Sequence, residues 1–489
     1  MKKALAYATF ILAVIFSACT KDTGKVNFGN YPADVGAVFN NKCATSGCHN
    51  SRSFEAAAGF NMESWQSMFA GSNNGSPVIP YNSGFSSLCY FINSYPELGL
   101  QNSPRMPLNK PALSYGEVKL IRDWIDNGAP DVNGNVMGSN PRLKKLYAVN
   151  QGCDVVTVFD SETKLPIRFI KVGNKAGSNT PHQVRVSPDG NYWYVIFINN
   201  NIMQKFRCSD DSYVGDIPLT DVAAGHSTDP AHDAQDWNTF VISKDSKRAY
   251  CVSWTASGKI SAVDLENMKL LHFIGGQYYP HGIALNAAED KIYFAAQTGN
   301  FITEMDTAFS EASQYSLQNG MPLNYQSSLD PHDVILSADE QDLMITCQQS
   351  NEVRVFNMAS RLVTAVVPTG VYPQEIVYAK STNQYFVSCT EDSTTFAGAH
   401  GVINRINAGS YASQAIKCGF QPHGIAVDEN QRLLYVLSRN ISVKGPLPHH
   451  TSECAGRNGF VNFIDLNTFS VLPKRYELSA DPYFIFARP

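Results

Sequence analysis

Residues 331–367 read PHDVILSADEQDLMITCQQSNEVRVFNMASRLVTAVV. Four apolar runs stand in this stretch: at Val334, around Met344, at Val353-Arg354-Val355-Phe356 and over residues 362–367. Polar residues separate them. Runs this short, rich in β-branched residues and bounded by Asp, Asn, Ser and Gln, are strands and not helices. One stretch therefore encodes four consecutive short strands.

The opening Pro331-His332-Asp333-Val334 recurs along the chain as Pro181-His182, Trp237-Asn238, Pro280-His281, Pro373-Gln374, Pro422-His423 and Pro482-Tyr483. The second residues of these pairs lie 56, 43, 51, 42, 49 and 60 positions apart. In five of the first six units a second apolar run follows, at Tyr194, Tyr250, Tyr293, Met344 and Tyr435. Four-stranded units repeated at this period predict an all-β propeller. The last unit has only its first strand before Pro489. Residues 146–150, 155–160 and 166–172 supply the other three. Joining both ends in one blade closes the ring, leaves no open edge and makes seven blades.

The chain has 489 residues, enough for more than one domain. Its net charge is −5 with no basic block, which excludes nucleic acid as a partner. Lys2 and Lys3 precede an apolar stretch over residues 4–16, then Phe16-Ser17-Ala18-Cys19. This predicts an export signal over residues 1–18, too short to span a membrane. Small residues before Cys19 resemble the lipobox of bacterial lipoproteins. That resemblance implies lipidation of Cys19 and anchoring to the periplasmic side of a bacterial membrane or the cell surface. Plain cleavage after Ala18 is the alternative. Residues 19–29 then form a tether, 30–131 a compact segment, 132–142 a linker and 143–489 the propeller.

The compact segment carries Cys43-Ala-Thr-Ser-Gly-Cys48-His49. Two thiols followed by an imidazole suit a covalently held haem, with histidine reaching the iron. The usual gap is two residues; here it is four. Read alone, the run also fits half a zinc site or a disulfide beside a surface histidine, although no second cysteine cluster lies nearby to complete zinc. A helix is predicted over residues 33–41, with Val35, Val38 and Phe39 on one face. A second starts at the capping box of Ser114 and Glu117, carries Val118, Ile121, Trp124 and Ile125, and stops at Gly128. Met106-Pro107 lies between them. Met62 and Met68 are its competitors as a thioether ligand, and both are expected to pack the core.

With Gly59-Phe-Asn-Met62, Val78-Ile-Pro80, Arg105-Met106-Pro107 and the closing Ile121-Arg-Asp-Trp124 run, this segment resembles a bacterial c-type cytochrome domain over about 100 residues. The resemblance implies a small all-α fold holding one haem c, with Cys43 and Cys48 covalent to it and His49 and Met106 on the iron. The repeats, with Asp189-Gly190, Leu434-Tyr-Val436 and Asn351-Glu-Val-Arg-Val355, resemble the YVTN-type seven-bladed propeller family. That resemblance implies the fold and no particular activity.

First strands line the channel of such propellers, so His182, Asn238, His281, His332, Gln374, His423 and Tyr483 are expected as a ring at one mouth. His226 and His232, and the insertions carrying His400, His449 and His450, are expected on the same face. His49 and His272 are not. Converging imidazoles suit copper or another transition metal, with His182, His281, His332, His423 and His232 as candidates. Nitrous oxide reductases place histidines similarly, an analogy only. Taken singly, each histidine fits a hydrogen-bonded structural role better than a ligand role. Cys418 and Cys454 could form a disulfide that pins the second insertion, although the pairing is not fixed by the sequence; the other cysteines, Cys153 among them, are expected as small buried apolar residues.

Two functions remain open. One is an exported haem c electron-transfer protein whose propeller holds a metal or substrate site, an oxidoreductase working with a redox partner protein or a small molecule. The other is a non-enzymatic docking module that carries a haem electron carrier.

Overall fold

A computed structural model describes residues 28–221, 236–452, 454 and 456–489. The expected export signal, Cys19, His226 and His232 lie outside the described residues. Among the described residues no helix is long and apolar enough to cross a membrane.

Between positions 145 and 487 the described residues form seven antiparallel sheets arranged as a propeller. Blade four, quoted above, consists of Pro331–Leu336, Asp342–Cys347, Glu352–Asn357 and Leu362–Pro368. Blade seven is built from both ends of the chain: Pro482–Ala487 is innermost, followed by Lys145–Asn150, Val155–Asp160 and Pro166–Lys171. Ala148 pairs with Ile485 on one side and Thr157 on the other. The closure expected from the sequence is therefore present. Blade six departs from the four-strand pattern. Its fourth strand is only Ser470–Val471, and an additional strand, Tyr476–Ala480, pairs with Asn458–Asp465.

The second strands are buried on both faces because each blade is sandwiched by neighbours. Leu433–Ser438 is buried throughout. Cores fill the seams between blades, as where Tyr147 and Val158 of blade seven meet Val184 and Trp193 of blade one. The same seam holds a buried ion pair: Lys145 Nζ lies 2.7 Å from Asp211 Oδ2 and donates to the Cys208 carbonyl at 2.9 Å.

Every first strand is irregular at the same place. The pairing register shifts beside His182, Asn238, His281, His332, Gln374, His423 and Tyr483. An extra residue there bends the strand and re-aims its side chains. Glycine follows the histidine in blades three and six because the next first strand comes too close for a side chain. A Cβ on Gly282 would stand 2.3 Å from the His332 carbonyl oxygen, and one on Gly424 2.5 Å from that of Tyr483.

Residues 28–131 are helical only in short pieces. Ala33–Val38 is followed by a π-helical turn, Phe39–Cys43, so the expected helix runs two residues further with a wider final pitch. Trp65–Phe69, Ser87–Ile92 and Tyr115–Asp126 follow. The last has the capping box read from the sequence: Ser114 and Glu117 satisfy each other's backbone N–H. These elements share one core, with Phe39, Leu113, Val118, Ile121 and Ile125 fully buried. Residues 132–142 carry no helix or strand, and Met137 packs against both this core and that of blades seven and one.

Candidate functional site

The loop after the π turn closes on itself. Cys48 N–H donates to the Thr45 carbonyl at 3.0 Å and His49 N–H to the Cys43 carbonyl at 3.2 Å. Gly47 takes a positive φ of 79° to make the turn. The four intervening residues are thus absorbed in a compact bend that returns His49 to Cys43. The His49 ring is set by two contacts: Nδ1 is 2.9 Å from the Phe60 carbonyl oxygen, and the ring stands edge-on to Phe60 with centroids 5.4 Å apart. A carbonyl only accepts, so Nδ1 carries the proton and Nε2 keeps its lone pair. Burial lowers the His49 pKa, which keeps the ring neutral. Burial also pushes the Cys43 thiol up to about 12.

Cys43, Cys48, His49 and Met106 all line one cavity of about 410 Å³. Met106 is held there by its N–H, which donates to the Phe91 carbonyl at 2.7 Å. Met68 lies in the core, as expected of filler. Met62 is equally buried, precedes the short helix, and also touches the cavity wall. The structure thus brings together the four residues that the sequence singled out in this segment.

The opposite wall of this cavity belongs to the propeller. His449, His450, Thr451 and Ser452 of the blade-six insertion face it, with Glu477 and Ser479 of the additional strand. The His450 ring lies 5.4 Å from that of Tyr90, and His449 5.3 Å from Phe91. Glu477 accepts from the His449 N–H and lies 3.4 Å from His450 Nε2. The rest of the joint is polar and aromatic. Ser76 donates to the Pro166 carbonyl at 2.6 Å, Phe85 stacks on Phe169 at 5.1 Å, and the Arg168 guanidinium sits 5.2 Å above Tyr81. The segment thus docks against the outer strand of blade seven and the added strand of blade six. His449 and His450 serve this joint and make no part of the channel ring.

The Cys418–Cys454 pairing that the sequence leaves open does not form. Cys454 pairs with Cys153, and Cys418 is a free buried thiol. Cys153 lies in the turn Gln151–Cys153 between two strands of blade seven, on the face where the blade-six insertion arrives. Blade seven is the neighbour of blade six on the side of that insertion, which Cys418 at the end of blade five is not.

The channel ring is closed and compact. Ring centroids are 6.3 Å apart for His182 and His281, 4.0 Å for His281 and His332, and 6.2 Å for His332 and His423. Tyr483 completes it, 3.8 Å from His423 and 4.5 Å from His182. The histidines also staple blades together: His281 Nδ1 is 3.0 Å from the His332 carbonyl, and His423 Nδ1 is 3.0 Å from the Tyr483 carbonyl. Asn238 does the same for the Pro280 carbonyl at 3.3 Å. Burial lowers the pKa of all four imidazoles, that of His281 to about 4.

His332, His423 and Glu375 place one potential ligand atom each within 4.8 Å of one another. Glu375 was not anticipated, because strict alternation along a strand would turn the residue after Gln374 away from the channel. The bulge turns it in. The readable signal was an acid following the repeat position in only two blades, at Asp333 and Glu375. His400 stacks on Phe420 and contacts Glu391 at 3.1 Å, away from this group. His272 lies on the outer strand Lys269–Gln277.

No protein-family model matches this chain, and no curated protein matches it either. Solved structures resemble it at low identity. Hydrazine synthase of Kuenenia stuttgartiensis aligns at 15% identity with a TM-score of 0.46, covering 60% of this chain and 79% of that one. A protein of Desulfotomaculum acetoxidans described as functionally unknown aligns at 12% identity with a TM-score of 0.49, covering 69% of this chain and 99% of its own.

Proposed function

We propose that the chain is an exported haem c electron-transfer protein, lipid-anchored through Cys19, with one haem held by residues 30–131. The observation that carries this reading is the single cavity shared by Cys43, Cys48, His49 and Met106. Its size falls within the range of about 300–1,000 Å³ usual for small-molecule and cofactor sites. Cys43 and Cys48 would hold the haem covalently, and His49 Nε2 and Met106 Sδ would be its iron ligands. Bound haem supplies one-electron transfer, at a potential that a thioether ligand raises relative to two histidines.

The chain's own residues prepare the cavity. The Phe60 carbonyl fixes the His49 tautomer and ring plane, as partners of ligating imidazoles do. Phe60, Phe85, Leu88 and Phe91 give the cavity an apolar lining. The propeller contributes a polar wall of His449, His450 and Glu477. The partner is a redox protein or a small molecule at the propeller.

The test is haem content and absorbance of protein matured in a host that attaches haem c. His49→Ala is expected to abolish haem incorporation or its native spectrum. Met106→Ala is expected to retain covalent haem but lose the low-spin signature of a methionine-ligated iron. An unchanged c-type spectrum in His49→Ala overturns the assignment.

A second reading is supported by the inter-blade bonds of His281 and His423, which give the repeat histidines a structural use. In that reading the propeller is a docking platform without chemistry of its own, and the haem segment a simple carrier.

A further inference from the structure

We propose that the propeller channel binds one divalent transition-metal ion, zinc or iron(II) in class, through His332, His423 and Glu375. Four observations converge on this site. The three side chains come from separate blades, four, six and five, yet offer ligand atoms within 4.8 Å of one another. An ion with bonds of about 2.1 Å needs tetrahedral ligands about 3.4 Å apart, so the three groups must draw together around it, Glu375 moving from its place 3.8 Å from His423 Nδ1 towards Nε2. His423 is 1% exposed in its side chain, its Nδ1–H is committed to the Tyr483 carbonyl, and its Nε2 has no hydrogen-bond partner. A buried lone pair left without a partner costs free energy unless something occupies it. His332 Nδ1 is likewise buried and makes no hydrogen bond of good geometry, the Gln374 backbone being its nearest polar neighbour.

Two imidazoles and one carboxylate form a donor set for zinc or non-haem iron(II) and leave coordination positions open. The set is selective within the ring. His182 Nδ1 lies 2.8 Å from Gln151 Nε2, an amide donor, so its proton sits on Nε2 and that nitrogen has no lone pair to offer. One ligand of the site, Glu375, borders a cavity on the face opposite the insertions. This cavity, of about 540 Å³, runs inward from Lys144, Glu429 and Pro489 to Asp333 and Glu375. Arg185 shares its inner end, its guanidinium 5.4 Å from the Phe486 ring, and Asp333 sits beside Glu375 to balance that charge. The site is independent of the haem assignment, because haem iron is counted separately by its absorbance.

The experiment is metal analysis of the full chain, as purified and after dialysis against Zn²⁺, with haem iron measured as the pyridine haemochrome and subtracted. About one ion per chain is expected beyond haem iron. Glu375→Gln and His423→Gln should each weaken retention at least tenfold, whereas His182→Gln should retain the ion. Co²⁺ loaded in place of Zn²⁺ should give visible d–d bands in the wild type that vanish in the first two variants. Should a variant fold poorly by circular dichroism, anomalous diffraction at the metal edge of the loaded wild type decides alone. Density among His332, His423 and Glu375 upholds the site. No ion in the loaded wild type, an ion located elsewhere, or equal retention in Glu375→Gln and His423→Gln overturns it.

Discussion

At the scale of residues, one device recurs in two unrelated parts of the molecule. His49 and His423 each commit Nδ1–H to a backbone carbonyl, at 2.9 and 3.0 Å, and so keep Nε2 unprotonated. The sequence names the imidazole; the carbonyl that selects its tautomer comes from a distant residue, Phe60 or Tyr483. Glu117 shows the opposite case, where a local motif is fully readable. It closes the capping box with Ser114 and also receives Lys42 Nζ at 2.6 Å. The Lys42 hydrogen bond, then those from Ser114, hold its carboxyl below the usual value. A depressed carboxylate stabilises the fold above its unfolded pKa of about 4.3, and that contribution is lost as pH falls through the folded value. Glu117→Gln keeps the capping box and loses the part-exposed Lys42 pair, and is expected to cost about 0.5 kcal/mol near neutrality. In thermal unfolding followed against pH, the gap to wild type should close below pH ~4.

At the scale of elements, the first strands govern both the ring and its tightness. Their bulges explain why a period-two reading finds His332 and misses Glu375. The Pro-His-Gly pattern of blades three and six is explained by the approach of the next strand. Gly282→Ala should force that contact open at a cost of about 1–3 kcal/mol, seen as a lower thermal midpoint. The seam between blades seven and one offers a sharper case. Lys145 is fully buried and Asp211 nearly so, with Tyr147 donating to the same carboxylate at 3.2 Å. Lys145→Met leaves that carboxylate unpaired and is expected to destabilise by about 3–5 kcal/mol. The double change Lys145→Met with Asp211→Leu should recover much of the loss. A double variant no more stable than the single one would show that the charge is not the cause.

At the scale of the whole molecule, the chain closes on itself twice. Blade seven uses both ends of the repeat region, and the Cys153–Cys454 disulfide ties the blade-six insertion to that blade across 301 residues of sequence. The insertion carries His449 and His450 to the cavity wall, so this tie bears on the cavity as well as the ring. Cys454→Ser is expected to leave the blades intact while hydrogen exchange speeds up over residues 439–458. Equal exchange in the variant and wild type would mean that Glu477 and Asn458 hold the insertion unaided.

The sequence by itself determined the propeller, its seven blades, their closure by both ends, the capping box and the run from Cys43 to His49. These are local patterns repeated or spaced along the chain, and periodicity makes them visible. Only tertiary structure decided which side chains meet. It brought Met106 to the cavity of His49, set blade six as the far wall, replaced Cys418 by Cys153 as the partner of Cys454, and turned Glu375 towards His332 and His423. Those contacts join residues from different blades or from either side of the joint. They depend on bulges, docking and the closeness of neighbouring strands, which leave no period in a single sequence.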